Sequence, residues 1–165
     1  MWKQLPSCEQ AAGRGGPALG YSNDGKKILI ATGYSGQEND DVHIFDVNSN
    51  NWSTCEKGKY RARSVAPFCT LAPNGNNFLV IFGGEVSTSD KGHEGAGDFA
   101  DDLVIIDIET GIVLANNNIG DCKPAARGWT SMTKISANKA ILFGGLSGND
   151  DNPTRHNDTW LLEIL

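Results

Sequence analysis

Apolar and polar positions along this chain recur in a fixed order. An arginine heads an apolar run three times, at Arg14-Gly15-Gly16-Pro17-Ala18-Leu19, Arg63-Ser64-Val65-Ala66-Pro67-Phe68 and Arg127-Gly128-Trp129-Thr130-Ser131-Met132. Each of these predicts a first strand. A second run follows and closes on glycine: Ile28-Leu29-Ile30-Ala31-Thr32-Gly33, Phe78-Leu79-Val80-Ile81-Phe82-Gly83-Gly84 and Ala140-Ile141-Leu142-Phe143-Gly144-Gly145. β-Branched and aromatic residues dominate these runs, as suits buried strands. A third run sits between two acids, from Asp41 to Asp46, Asp102 to Asp107 and Asp158 to Glu163. Beyond the closing acid, Trp52 and Val113 stand where a fourth strand would begin, and Trp2 holds the same place ahead of the first unit.

The spacing of the glycine-closed runs is 50 and then 61 residues, and that of the opening acids 61 and then 56. A four-stranded repeat of about fifty residues is the sequence pattern of a propeller blade. The fold class expected is therefore all-β, in a single domain over 1–165. The blades are placed at about 14–55, 63–117 and 127–165, with residues 2–5 as a spare outer strand. With its double glycines, acid-flanked third strands and tryptophans, the chain resembles the Kelch-repeat family over essentially its whole length. Three Kelch-type blades make a partial or half propeller, because closed rings usually hold four to eight. Either the chain is part of a longer propeller or a homodimer completes a six-bladed ring, with Trp2 to Leu5 of one copy beside Trp160 to Leu165 of the other.

Composition narrows the field. Of 165 residues, 20 are glycine and 39% are apolar, with no apolar run long enough for a membrane helix. The net charge is −6 and the pI about 4.9, with basic residues scattered, so no nucleic-acid partner is expected. The first residues lack the features of a secretory or transit signal, and a cytoplasmic location is expected. Cys8, Cys55, Cys69 and Cys122 have no CxxC or finger spacing and are read as reduced structural thiols, with a disulfide as the alternative.

Chemistry in such an architecture belongs to the loops. The longest one, 85–101, carries Glu85, Asp90 and His93, whose oxygen and nitrogen donors would suit Fe(II), Mn(II) or Zn(II) if they converge. The alternative is a glycine-rich solvated loop whose charges cap its own turns. Arg14, Arg63 and Arg127 recur at equivalent positions. They could ring a channel mouth and bind a carboxylate, sulfate or phosphate, or bond carbonyls and acids of the neighbouring blade as architecture. His43 is expected between blades, His156 in a polar loop over 149–157, and Trp129 and Trp160 in inter-blade packing or at a propeller face.

A narrower resemblance rests on Gly83-Gly84-Glu85, Gly92-His93-Glu94-Gly95-Ala96-Gly97, Ala126-Arg127-Gly128-Trp129-Thr130 and Asn157-Asp158-Thr159-Trp160-Leu161-Leu162-Glu163. These look like the Kelch branch that includes nitrile-specifier, epithiospecifier and thiocyanate-forming proteins. That resemblance implies Fe(II) held by a Glu, an Asp and a His, and arginines that hold the sulfate of a glucosinolate aglycone. Glu85 and His93 match the branch in spacing, whereas its aspartate position is Ser89 here and Asp90 follows one residue later. The function expected is a Kelch module that binds a protein or a small anionic ligand through its loops. The alternative is an Fe(II)-dependent, specifier-like protein acting on glucosinolate aglycones or a related sulfated substrate.

Overall fold

The computed structural model describes residues 1–55, 57–92, 95–117 and 122–164. Blade 1 is an antiparallel sheet of β1 (Ala18–Tyr21), β2 (Lys27–Ala31), β3 (Val42–Asp46) and β4 (Asn51–Thr54), paired in chain order. Blade 2 repeats the order with β5 (Phe68–Leu71), β6 (Phe78–Phe82), β9 (Leu103–Asp107) and β10 (Val113–Asn117). Between β6 and β9 the chain makes a separate small hairpin, β7 (Glu85–Ser87) with β8 (Asp98–Phe99). Blade 3 holds three strands, β11 (Ser131–Lys134), β12 (Lys139–Gly148) and β13 (Pro153–Glu163). Among the described residues, no helix is long and apolar enough to cross a membrane.

Burial along the strands reports how many neighbours each sheet has. Central β6 is buried along nearly its whole length, because blade 2 is covered on both faces. One face joins Leu79, Ile81, Val104, Ile106 and Ile108 to Leu29, Ala31, Val42 and Ile44 of blade 1. The other joins Cys69, Leu71, Val80 and Phe82 to Met132, Ala140 and Leu142 of blade 3. In β1 and β13, inward and outward residues alternate instead, since the end blades have one partner each.

Two expectations need correction. The inner strands do not begin at the arginines: β1, β5 and β11 start four or five residues later. The third residue of each arginine segment, Gly16, Val65 and Trp129, is left-handed, with φ of +59°, +44° and +52°, and a strand cannot run through that conformation. The polar segment 149–157 is not a loop throughout, because β12 and β13 continue past the glycines as a long hairpin, with Gly145 opposite His156.

The left-handed residues instead build the joints between blades. Val65 N–H donates to Gly16 O at 3.1 Å, and Trp129 N–H to Val65 O at 2.9 Å. The glycine that ends each turn, after Thr32 in blade 1 and Gly83 in blade 2, reaches the next arginine: Gly33 N–H donates to Arg63 O at 2.9 Å and Gly84 N–H to Arg127 O at 2.8 Å. Both positions of the turn need positive φ, +58° at Gly83 and +100° at Gly84. A Cβ on Gly83 would stand 2.5 Å from Arg127 O and 2.9 Å from Ala100 O.

Each blade is closed by its own arginine. Arg63 forks onto Asp102 at 2.7 and 2.8 Å, donates from Nη1 to Gly83 O at 2.8 Å and from Nε to Arg61 O at 2.9 Å. Arg127 repeats this with Asp158 at 2.5 and 3.0 Å, Gly144 O at 2.9 Å and Ala125 O at 3.0 Å. Arg14 does so with both oxygens of Asp41, with Thr32 O at 3.0 Å and with Ala12 O at 3.1 Å. The partners lie in the arginine's own blade rather than the neighbouring one. The opening acids are therefore fork acceptors, and only closing acids cap turns: Asp46 accepts from Ser49 N–H at 2.7 Å and Asp107 from Thr110 N–H at 2.8 Å.

Burial pushes the Asp41 and Asp102 carboxyls up, but the hydrogen bonds from Arg14 and His43 on the one and from Arg63 on the other outweigh it, and both stay below the usual range. Asp158 is held well below that range by Arg127 and then Trp160. A carboxyl lowered in the folded state stabilises the fold above its unfolded value of roughly 3.9 and loses that contribution as pH falls through the folded value. The melting temperature should therefore change little from neutrality to about pH 5 and fall below about pH 4. Asp158→Asn should make that acid limb shallower, read from melts at a series of pH values. Gly83→Ala should cost more than about 2 kcal/mol in urea unfolding, combining a left-handed alanine with a blocked joint. Gly25→Ala, at φ +70° with open space around it, should cost only about 1 kcal/mol.

Candidate functional site

The connections between second and third strands emerge on one face of the three blades: 32–41 from blade 1, the β7–β8 excursion from blade 2 and the β12–β13 hairpin tip from blade 3. Isolated backbone bridges fasten each connection to the residue after the blade's arginine, pairing Gly15 with Tyr34, Ser64 with Glu85 and Gly128 with Leu146. The arginines themselves lie beneath. Arg63 and Arg127 are 0% and 1% exposed, and a ligand reaching either fork would have to displace its aspartate.

Glu85 opens β7 and is buried. Burial and the nearby Glu38 push its carboxyl up, opposed by hydrogen bonds from the Gly97 backbone, the Trp129 side chain and the Ser89 backbone. Its oxygens are thus turned onto N–H donors of the surrounding loop. Gly97 is required beside it, since a Cβ there would run into Ser87 O and Glu85 Oε1. Asp90 is exposed, and it is its backbone N–H that is held, by Asp150 Oδ2 at 3.2 Å. His93 lies outside the described residues. Among the described residues, no group of three His, Cys, Asp or Glu side chains could hold a metal ion. Of the three expected donors, Glu85 accepts from N–H groups and Asp90 is exposed.

The residue that organises the long loop is Asp150, at the tip of blade 3. It accepts from Ser89 Oγ, Ala96 N–H at 3.0 Å and Asp90 N–H, while Lys91 Nζ donates to its carbonyl at 2.7 Å. Ser89 Oγ is its first hydrogen-bond partner, and together these contacts hold the Asp150 carboxyl below the usual range. Gly95 packs so closely on Asp150 and Ser89 that a Cβ would collide with both side chains. Nothing in the polar run Asn149-Asp150-Asp151-Asn152 marks Asp150 for this task, because the contact spans about sixty residues of sequence.

Docking the loop onto blade 3 leaves a cleft of about 370 Å³ lined by Gly95, Trp129, Gly145, Leu146, Arg155 and His156. Trp129, 45% exposed, is presented by its left-handed backbone and so belongs to the face more than to the packing between blades. Arg155 is exposed and His156 half-buried, with His156 Nε2 at 2.7 Å from Ser147 Oγ. His43, expected between blades, is fully buried on blade 1, with Nε2 at 2.9 Å from Asp41 Oδ2 and Nδ1 at 3.0 Å from Thr54 Oγ1. Trp160 packs between blades 2 and 3 and donates to Asp158 at 2.7 Å. All four cysteines are free thiols.

No protein-family model matches the chain. Individual proteins do. An N-(sulfonatooxy)prop-2-enimidothioate sulfolyase of Thlaspi arvense is 30% identical over 121 residues, 72% of this chain and 34% of that protein. Kelch domain-containing protein 1 of Mus musculus is 29% identical over 126 residues, 75% of this chain and 27% of that protein. The chain thus spans about a third of the length of the curated relatives it matches. With the four-stranded blades, glycine turns and repeated joints described above, these similarities place it: the chain is a Kelch-repeat protein related to the specifier branch.

Proposed function

We propose that this Kelch-repeat module binds a small organic anion, one with an apolar or aromatic part and a sulfate or carboxylate, in the cleft of its loop face. The observation that carries this reading is the convergence of Trp129, Leu146, Arg155 and His156 on one cleft. An indole and a leucine offer apolar area, and an exposed guanidinium offers a planar fork for an oxyanion. One relative's name supports the same class, since a sulfonatooxy compound is a sulfated anion. A protein ligand carrying an acidic side chain beside an apolar one would meet the same groups.

The arginines of the forks take no part in this binding, because their donors are committed to Asp41, Asp102 and Asp158. The reading places the anion on Trp129, Leu146, Arg155 and His156 and needs no iron. The long loop contributes shape: Gly95 forms one wall of the cleft, and Asp150 holds it there.

Phenyl sulfate is a suitable probe, with tryptophan fluorescence and calorimetry as readouts and inorganic sulfate as the control lacking the apolar part. Arg155→Ala should weaken phenyl sulfate binding roughly tenfold or more, the worth of one charge-assisted hydrogen bond, and Trp129→Ala should weaken it while leaving inorganic sulfate unaffected. Fe(II) should leave the affinity unchanged in the wild type and in Glu85→Gln. Binding indifferent to Arg155→Ala, or dependent on Fe(II), contradicts the reading. Asp150→Ala should speed amide exchange across 86–99 with the blade strands still protected, measured by hydrogen exchange with mass spectrometry.

A further inference from the structure

Away from the cleft, a thiol, an imidazole and a carboxylate stand in line on blade 1. Cys8 Sγ lies 3.7 Å from His43 Nδ1, and His43 Nε2 lies 2.9 Å from Asp41 Oδ2. Cys8 is half-buried, whereas His43 on β3 is 0% exposed. The segment that carries Cys8 is fastened on both sides: Pro6 O accepts from Trp52 Nε1 of β4 at 2.8 Å, and Ala12 O accepts from Arg14 Nε at 3.1 Å.

The protonation of the ring follows from its partners. Against the upward push of burial, Arg14 and then His43 hold the Asp41 carboxyl below the usual range, so Asp41 accepts and His43 Nε2 carries the hydrogen. Blade 3 makes the same bond with a group that can only donate, since Trp160, two residues after its opening acid as His43 is, gives its indole N–H to Asp158 Oδ2 at 2.7 Å. Nδ1 of the neutral ring is left with a lone pair. It faces the Cys8 thiol and the hydroxyl of Thr54, whose Oγ1 is 3.0 Å away.

The surroundings favour moving the thiol proton to Nδ1. The imidazolium so formed would lie beside Asp41, and the thiolate would be coupled electrostatically to Arg14. Lys57 Nζ, 3.9 Å from Asp41 Oδ2, adds a cation, and Thr54 Oγ1 can accept from the new Nδ1–H. Tyr60, whose hydroxyl donates to Asp41 O at 3.3 Å, stays neutral because burial raises its ionisation. Gln10 Oε1, also 3.7 Å from Cys8 Sγ, can accept a hydrogen bond but is no base. Burial pushes the Cys55 and Cys69 thiols up instead, the second to about 11. Cys8 stands six residues before Arg14, and Lys57, six before Arg63, has a side chain 61% exposed although blade 1 precedes it. A blade ahead of blade 1 would by the same geometry leave Cys8 open.

We propose that Cys8 is a nucleophilic thiol, with His43 as its base and Asp41 orienting the ring, which takes up small thiols as mixed disulfides from low-molecular-weight disulfides. Cys8 Sγ attacks one sulfur of the disulfide and passes its proton to His43 Nδ1. The bond between the two sulfurs of the small molecule breaks as the new one forms, and the departing thiolate takes the proton from Nδ1 to leave as a thiol. One disulfide is consumed and one is made, so no other oxidant is needed. Nucleophile, base and a third group that orients the base are the parts such a step requires.

Dithiodipyridine, an uncharged aromatic disulfide that releases an absorbing thione, is the probe, with peptide mass spectrometry to assign the cysteine modified. At pH 7 in the folded wild type, Cys8 should react roughly tenfold or more faster than the exposed Cys122. His43→Gln keeps an N–H for Asp41 but cannot take a proton, and should remove most of that advantage. Above the ordinary thiol pKa of roughly 8.5 the variant and the wild type should converge, because Cys8 then ionises without a base. A gap that persists there means that His43 only shapes access and overturns the proposal, as does a Cys8 no faster than Cys122. If His43→Gln fails to fold, the wild type carries the test alone: the ratio of Cys8 to Cys122 rates should fall as pH rises through the same range, and a constant ratio overturns the proposal.

Discussion

A buried guanidinium closes each blade, and the rest of the structure depends on it. Arg14, Arg63 and Arg127 each tie three pieces of one blade together: the segment before the inner strand, the carbonyl at the glycine turn and the acid that opens the third strand. No strand ladder can make these links, because all three pieces lie where the sheet ends and the chain reverses. Arginine suits the task where lysine would not, since its planar fork meets both carboxylate oxygens while leaving N–H groups for carbonyls. Taking such a charge out of water is costly unless every donor is matched. The threefold repetition of the same partners shows how completely this one is matched.

The fork also sets the joints between blades. By fixing the arginine's backbone it places the left-handed residue two positions on, and that residue hydrogen-bonds its counterpart in the preceding blade. Val65 and Trp129 hold a conformation that costs a non-glycine residue of order 1 kcal/mol or more, which persists because the fork on one side and the joint on the other over-determine it. Presentation of Trp129 towards solvent follows from the same backbone. Architecture and candidate site thus share a cause: the turn that welds blade 3 to blade 2 also lifts an indole into the cleft above it.

Much of this could be read from the sequence. The glycine pairs, the acids bracketing the third strands and the positions of Trp52 and Val113 all report periodic local needs, and the blades and their order follow from them. The start of the inner strands could not be read that way, because Arg-Ser-Val-Ala-Pro-Phe carries the composition of a strand while Val65 turns left-handed for the sake of a neighbouring blade. The arginines were legible as recurring and hence architectural, but not as serving their own blade. The loop was less legible still. Glu85 and His93 stand at a suggestive spacing, yet Glu85 points at N–H donors, and the residue governing the loop, Asp150, lies sixty positions away in a run of similar polar residues. Tertiary contacts of that span leave no periodic trace.

The account stands on the fork acting as a coupled unit, and a double-mutant cycle on Arg63 and Asp102 tests this most directly. Arg63→Met, Asp102→Asn and the double variant would be compared with the wild type by urea unfolding. Breaking one side leaves a buried group unmatched, so the account predicts that the double variant is no less stable than the worse single one, with a coupling of at least about 2 kcal/mol. Additive effects, within about 0.5 kcal/mol, would show that the blades are held by their apolar faces alone and would contradict it.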